Sequence, residues 1–138
     1  MLEKGQLLYK ELSYNLVGCF IEVRKNFGPG HKEKFYQEAL AEELKANSIN
    51  YEREKSISIY HPKTGKKMPS GYRPDFIIEN TIIVELKAQP FIPKKVIDQL
   101  YDYLRNSKYE LGYFVNFAAD KLESKRVIYT NDQKSWLT

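Results

Sequence analysis

The sequence has one cysteine, Cys19, so no disulfide can close within the chain and no Cys-rich metal pattern exists. No apolar run approaches the roughly 20 residues a helix needs to cross a bilayer. The N-terminal stretch MLEKGQLLYKELSYNL is charged throughout and lacks the apolar core and small-residue cleavage site of a secretory signal. The two histidines, His31 and His61, sit beside glycine or proline in turn-like segments, too far apart to suggest a shared metal. Internal repeats, low-complexity tracts and linkers are also missing. These absences leave a soluble cytoplasmic chain, with no membrane partner, as the expectation, folded as a single domain over residues 1–138.

What is present supports a packed core. The chain has 138 residues, enough for one domain and too few for two ordinary ones. Its 42% apolar and 29% charged composition is that of a globular protein. The net charge of +4 is compatible with a polyanionic partner. The eleven tyrosines are expected mainly to cap a small core with their hydroxyls outward.

Periodicity gives the elements. Leu12, Leu16, Phe20, Val23 and Phe27 recur near helical spacing, and Gly28-Pro29-Gly30 ends that helix. A second helix is predicted over roughly His31 to Ala46, with Phe35, Ala39, Leu40 and Leu44 inward and Asn47 as its stop. The rhythm then changes to period two. REKSISIY predicts a strand with Ile57 and Ile59 on one face, followed by the loop HPKTGKKMPSG. YRPDFII and TIIVELKA predict two more strands. Pro93 suits the start of a helix through KKVIDQLYDYLRNS, with Ile97, Leu100 and Leu104 inward. LGYFVNF predicts a fourth strand, and KRVIY is either a fifth or part of a tail. Short connections predict antiparallel pairing among the first three strands, and the helical crossover predicts a parallel partner for the fourth. The fold class is α/β: a mixed sheet flanked by helices, in the order α-α-β-β-β-α-β.

The stretch RPDFIIENTIIVELKA concentrates the chemistry. On a strand, Ile83, Glu85 and Lys87 share one face, and Asp75 on the preceding strand can approach Glu85. Two close carboxylates repel unless one is protonated or a cation lies between them. Mg²⁺ suits that arrangement, since it prefers oxygen ligands and binds through one or two carboxylates. A neighbouring lysine can orient water or stabilise developing negative charge, and the set suits phosphodiester hydrolysis. Register imposes a condition. A strict two-residue loop at Glu79-Asn80 would set Asp75 opposite Val84, on the wrong surface. Asp75 meets Glu85 only if the connection has an odd number of residues or a bulge around Glu79-Asn80-Thr81. The plainer reading of Glu85 and Lys87 is a solvated pair on an exposed strand face.

Pro74-Asp75 followed by Glu85-Leu86-Lys87 resembles the signature of the PD-(D/E)XK nuclease superfamily, and the element order resembles its restriction-endonuclease-like core. Gly30, Glu33 and Tyr36 in GHKEKFY have the spacing of the GxxExxY family, a branch of that superfamily. The resemblance extends from about Leu12 to Val127. It implies a metal-dependent nuclease acting on nucleic acid, DNA before RNA, with Mg²⁺ or alternatively Mn²⁺ as cofactor. Asp75 and Glu85 would be metal ligands, with the Leu86 carbonyl a third. Lys87 would assist the attacking water or the transition state. Glu33 would bind a second ion or position a water, and Gln99 would support the site.

Each of these also has a structural reading. Glu33 can be a first-turn glutamate favoured by the helix dipole, Tyr36 a packing residue, and Gln99 a solvated one. As substrate-binding residues the sequence offers Tyr36, Arg73, Lys66, Lys67, Lys94 and Lys95. Arg73 can alternatively pair with a carboxylate, and Lys63, Lys66 and Lys67 can be a solvated loop. The functional alternative is a non-catalytic nucleic-acid-binding or protein-interaction module on the same fold. A homodimer is compatible with so small a domain.

Overall fold

The computed structural model describes residues 8–137. The signal-free reading of residues 1–7 lies outside this range. No helix among the described residues is long and apolar enough to cross a membrane. Helix α1 spans Lys10–Phe27 and α2 spans Glu33–Ala46. Strands β1 (Tyr51–Arg53), β2 (Phe76–Ile78) and β3 (Ile82–Lys87) follow, then helix α3 (Lys94–Arg105) and strands β4 (Leu111–Asn116) and β5 (Glu123–Ile128). A 3₁₀ turn, Asn131–Gln133, comes after β5.

The five strands lie in the order β1-β2-β3-β4-β5. β3 and β4 are parallel and every other neighbouring pair is antiparallel. The helical crossover therefore produces the parallel pair that the connection length predicts. KRVIY belongs to the edge strand β5, which extends the predicted order by one element.

Two cores form because the central strands are buried on both faces. Phe76, Ile78, Ile82, Val84 and Leu86 alternate onto one face, where they meet Leu16, Phe20 and Val23 of α1 and Tyr36, Leu40 and Leu44 of α2. Ile77 and Ile83 point to the other face and meet Leu100 and Leu104 of α3. Each fully buried side chain of this size contributes roughly 1.5–3 kcal/mol by leaving water. Gly28, at φ 68°, ends α1 by returning its N–H to the Arg24 carbonyl at 2.9 Å.

Three expectations are corrected. Phe35 is not a core residue: it is 37% exposed and stacks on His31 while meeting Phe27 edge-on. The buried stripe of α2 is Tyr36-Leu40-Leu44, one residue round the helix, which also leaves Phe27 45% exposed. The first strand is Tyr51–Arg53, not REKSISIY. That segment instead makes isolated bridges, Ile57 to Tyr72 and Tyr60 to Lys67, as it runs out and back between β1 and β2.

The Ile57–Tyr72 bridge needs a glycine beside it. A Cβ on Gly71 would lie 2.2 Å from the Ile57 carbonyl oxygen and 2.9 Å from Ser56 Oγ, so any side chain there must push two backbone segments apart. Gly71→Ala is expected to destabilise the protein by about 1–3 kcal/mol, seen as a lower urea midpoint. An unchanged midpoint would show that the two segments part freely.

Candidate active site

The connection between β2 and β3 decides which face Asp75 occupies. Glu79 and Asn80 both have positive φ, 48° and 55°, and the Thr81 N–H donates to the Ile78 carbonyl at 2.9 Å. This is a type I′ turn, whose twist suits a hairpin. Pairing nevertheless resumes at Ile78↔Ile82, which leaves Thr81 as an extra residue. Thr81 Oγ1 also donates to the Ile78 carbonyl at 3.1 Å, holding the offset. Since Phe76 pairs with Val84, the next step outward sets Asp75 against Glu85. The odd-numbered connection that the shared site demands is present.

The two carboxylates have separate supports. Asp75 Oδ2 accepts the Leu86 N–H at 2.8 Å, and Asp75 Oδ1 lies 3.5 Å from Gln37 Nε2. Glu85 Oε1 accepts a hydrogen bond from the Tyr72 hydroxyl. Tyr72 in turn stacks flat on Tyr103, with ring centroids 3.6 Å apart and 9° between planes. Burial raises the pKa of Glu85 to about 7, and the charge of Asp75 adds to the rise, against the Tyr72 hydroxyl and Lys87, which oppose it. Burial also raises Asp75, opposed by the Leu86 N–H and Lys87. Glu33, the first residue of α2, is raised by burial and by Asp75 and lowered by Lys87. These mutual influences place Glu33, Asp75, Glu85 and Lys87 in one electrostatic neighbourhood.

Lys87 is held by the end of the sheet. It pairs with Asn116 of β4, and its carbonyl accepts the Phe117 N–H at 3.0 Å. Asn116 is fully buried. Its Nδ2 donates to the Gln89 carbonyl at 2.8 Å and its Oδ1 accepts the Gln89 N–H at 3.2 Å, so the chain leaving β3 is clamped.

The donor set fits one hard divalent ion bound through two carboxylates. Asp75 is held at Oδ2 by the Leu86 N–H and more loosely at Oδ1 by Gln37, Glu85 is held at Oε1 by Tyr72, and the mutual repulsion of the pair is what a cation between them would relieve. Among the described residues, however, no three or more His, Cys, Asp or Glu side chains are grouped so as to hold a metal ion. Glu33, at the first position of α2, is therefore not grouped with Asp75 and Glu85 as a third ligand, although the charge of Asp75 reaches it. Glu33 borders an open polar depression with Lys34, Gln37, Glu38, Arg53 and Glu54, beside the carboxylate pair.

Other candidates sort by location. Tyr36 has no accessible surface: its hydroxyl donates to the Gly28 carbonyl and accepts the His31 N–H, and its ring stacks on Phe117. Its assignment to substrate contact is corrected to packing, with the hydroxyl tying α2 to the α1–α2 turn. Gln99 is exposed and donates to the Tyr103 hydroxyl at 3.1 Å, so it meets the site only through the Tyr103–Tyr72 stack. Lys66 and Lys67 belong to a loop fastened by Tyr60, whose N–H donates to the Asn106 carbonyl and whose ring stacks on Trp136. That fastening is at the C-terminal end of α3, level with the start of β3 rather than with Lys87. Arg73 is exposed two residues before Asp75, and Lys94 and Lys95 are exposed at the start of α3.

Tyr72, Tyr103, Gln37 and Asn116 escaped the sequence reading. Tyr72 had one signal, its place three residues before Asp75, but among eleven tyrosines nothing marked it out.

The family model described as the PD-(D/E)XK nuclease superfamily matches residues 10–127 of the chain. Among solved structures, the chain is similar to one titled "Crystal structure of SSO0001", with a TM-score of 0.54 and 20% identity. The match covers 96% of this chain and 65% of that one, so this chain spans about two thirds of that protein's length. None of the curated proteins matches. The three helices and five-stranded mixed sheet form a restriction-endonuclease-like fold.

Two outcomes follow from the carboxylate geometry. Glu85 has a folded pKa above its unfolded value, so without divalent ions its contribution to stability is lost as pH rises from about 4.5 through about 7. Glu85→Gln is expected to remove that fall and to exceed the wild type by up to about 3 kcal/mol at pH 8, measured by urea unfolding in chelator. Equal pH profiles for the two proteins would contradict the buried, repelled state of Glu85. Tyr72→Phe keeps the stack on Tyr103 and removes only the hydroxyl bond to Glu85. Since one group that opposes the Glu85 rise is lost, it is expected to carry the fall in stability to higher pH than in the wild type, where Glu85→Gln removes it, and to change the urea midpoint little at acid pH.

Proposed function

The chain belongs to the PD-(D/E)XK nuclease superfamily, and we propose that it is a metal-dependent nuclease cutting nucleic acid phosphodiester bonds at the Asp75–Glu85–Lys87 end of the sheet. The observation that carries this reading is the register: a three-residue connection turns Asp75 onto Glu85 and leaves Lys87 one step further along the same strand face. A structural sheet has no need of two facing, half-buried carboxylates that repel each other.

In this reading Asp75, Glu85 and the Leu86 carbonyl hold the divalent ion, Mg²⁺ first and Mn²⁺ second. When bound, the ion supplies a water of lowered pKa and neutralises charge on the phosphate. The chain's own groups do the rest. Leu86 N–H and Tyr72 fix the two carboxylates, so their outward oxygens are preset. Lys87 stabilises the negative charge that develops on the phosphate oxygens. Glu33, whose pKa burial raises, is suited to accept a hydrogen bond from water and to receive its proton. Gln37, one turn after Glu33, braces Asp75.

The narrower placement in the GxxExxY branch is supported by the same region. Gly30 precedes α2, Glu33 opens it facing Lys87 and Asp75, and Tyr36 locks it to the preceding turn. Glu33 and Tyr36 of that motif thus have distinct structural reasons. DNA is the first substrate to test and RNA the second, and the cytoplasm is the setting that the composition favours.

Wild-type protein is expected to cleave in Mg²⁺ or Mn²⁺. Asp75→Ala and Lys87→Ala are expected to lower the rate by about a hundredfold or more while remaining folded by circular dichroism. If single- and double-stranded DNA and RNA all stay intact while calorimetry shows the metal bound, the nuclease reading fails. Salt-sensitive binding without cleavage, unchanged in Asp75→Ala, would instead indicate a binding module.

A further inference from the structure

The segment that leaves β3 carries an aromatic ring with nothing to pack against. Gln89 is clamped to Asn116 through both of its backbone groups. Three residues on, Ile92 packs against the second core. Pro90 and Pro93 restrict the backbone on either side of the intervening Phe91. Held between these two anchors, Phe91 is 87% exposed, the most exposed large hydrophobic residue among those described. It lies four residues after Lys87, within at most about 14 Å by chain length. Lys94 and Lys95 follow at once, both exposed, in a first helical turn that has no acidic residue. Cations there oppose the helix dipole, so local stability does not explain them.

A solvent-facing ring on an anchored segment, close in the chain to two lysines and to the proposed phosphodiester-cleaving centre, matches the chemistry of an unpaired nucleotide: a flat base face joined to an anionic backbone. In a duplex the base faces are covered by their neighbours and offer the ring nothing. We infer that Phe91 stacks on an unpaired base while Lys94 and Lys95 hold the adjoining phosphates, so that the site takes single-stranded or frayed nucleic acid in preference to blunt duplex. This inference rests on the nuclease reading above and names the substrate class for it.

The test uses the full chain carrying Asp75→Asn, with Mg²⁺ present, so that substrate is bound and not consumed. Fluorescence anisotropy measures its affinity for labelled single-stranded DNA, single-stranded RNA and blunt duplex. The better-bound single strand is expected to lose about tenfold or more in affinity with Phe91→Ala and to keep it with Phe91→Trp. Blunt duplex is expected to bind more weakly and to change less than about twofold, since stacking is denied to it. Lys94→Ala with Lys95→Ala is expected to reduce the salt-dependence slope on single strands by about 1.4, as for two lost phosphate contacts. Single-strand affinity unchanged in Phe91→Ala, or equal losses on single strand and duplex, would overturn the inference. Cleavage by the wild type on the same oligonucleotides is measured separately. Cutting that ignores Phe91 leaves the nuclease reading standing and removes this one, whereas no binding and no cutting removes both.

Discussion

The repulsion between Asp75 and Glu85 is the constraint around which the sheet end is arranged. Two carboxylates facing each other across an antiparallel pair are unfavourable, and partial burial makes them more so. Burial first, and the charge of Asp75 second, raise the pKa of Glu85 to about 7. The surrounding groups keep the pair in place against that repulsion. The Leu86 N–H fixes Asp75, Tyr72 fixes Glu85, and the positive charge of Lys87 acts on both. None of these supports is long-range machinery. The Leu86 N–H and Lys87 belong to β3 itself, and the Tyr72 hydroxyl arrives from the loop just before β2.

The wider fold serves that local geometry. The two layers of helices bury both faces of β2 and β3, so the strands cannot slip by one residue without exposing a whole row of isoleucines and valines. Register is therefore enforced twice, by the bulged turn at Thr81 and by the two cores. The aromatic stack of Tyr72 on Tyr103 connects α3 to the acidic pair, so that Gln99, though exposed, reaches Glu85 through two rings. The excursion between β1 and β2 exists in part to deliver Tyr72 to its place, and Gly71 is small because the Ile57 backbone passes over it.

Much of this was legible in the sequence for identifiable reasons. The helices were readable because Leu16, Phe20 and Val23, and later Leu100 and Leu104, repeat at 3.6-residue spacing. The parallel pair was readable because a helix separates β3 from β4. The odd-numbered turn was readable because Asp75 and Glu85 could share a face in no other way. Phe35 was misplaced because Phe35 and Tyr36 are adjacent and equally apolar in pattern, and only the packing against Phe117 selects Tyr36. REKSISIY alternates like a strand, yet its Ile57 and Tyr60 pair with Tyr72 and Lys67 only at single points, so no ladder forms.

The sequence by itself determined the element order, the buried strands and the acidic and basic groups that converge on one sheet end, since periodicity and strand alternation are local properties of the chain. Tertiary structure alone decided which groups support that end and how far they reach. Tyr72 meets Glu85 from a loop, Asn116 clamps the exit of β3 from a neighbouring strand, and Glu33 comes near Lys87 without completing a ligand set with Asp75 and Glu85. Those relations join residues distant in the chain through the packing of separate layers, and no local pattern encodes how two layers meet.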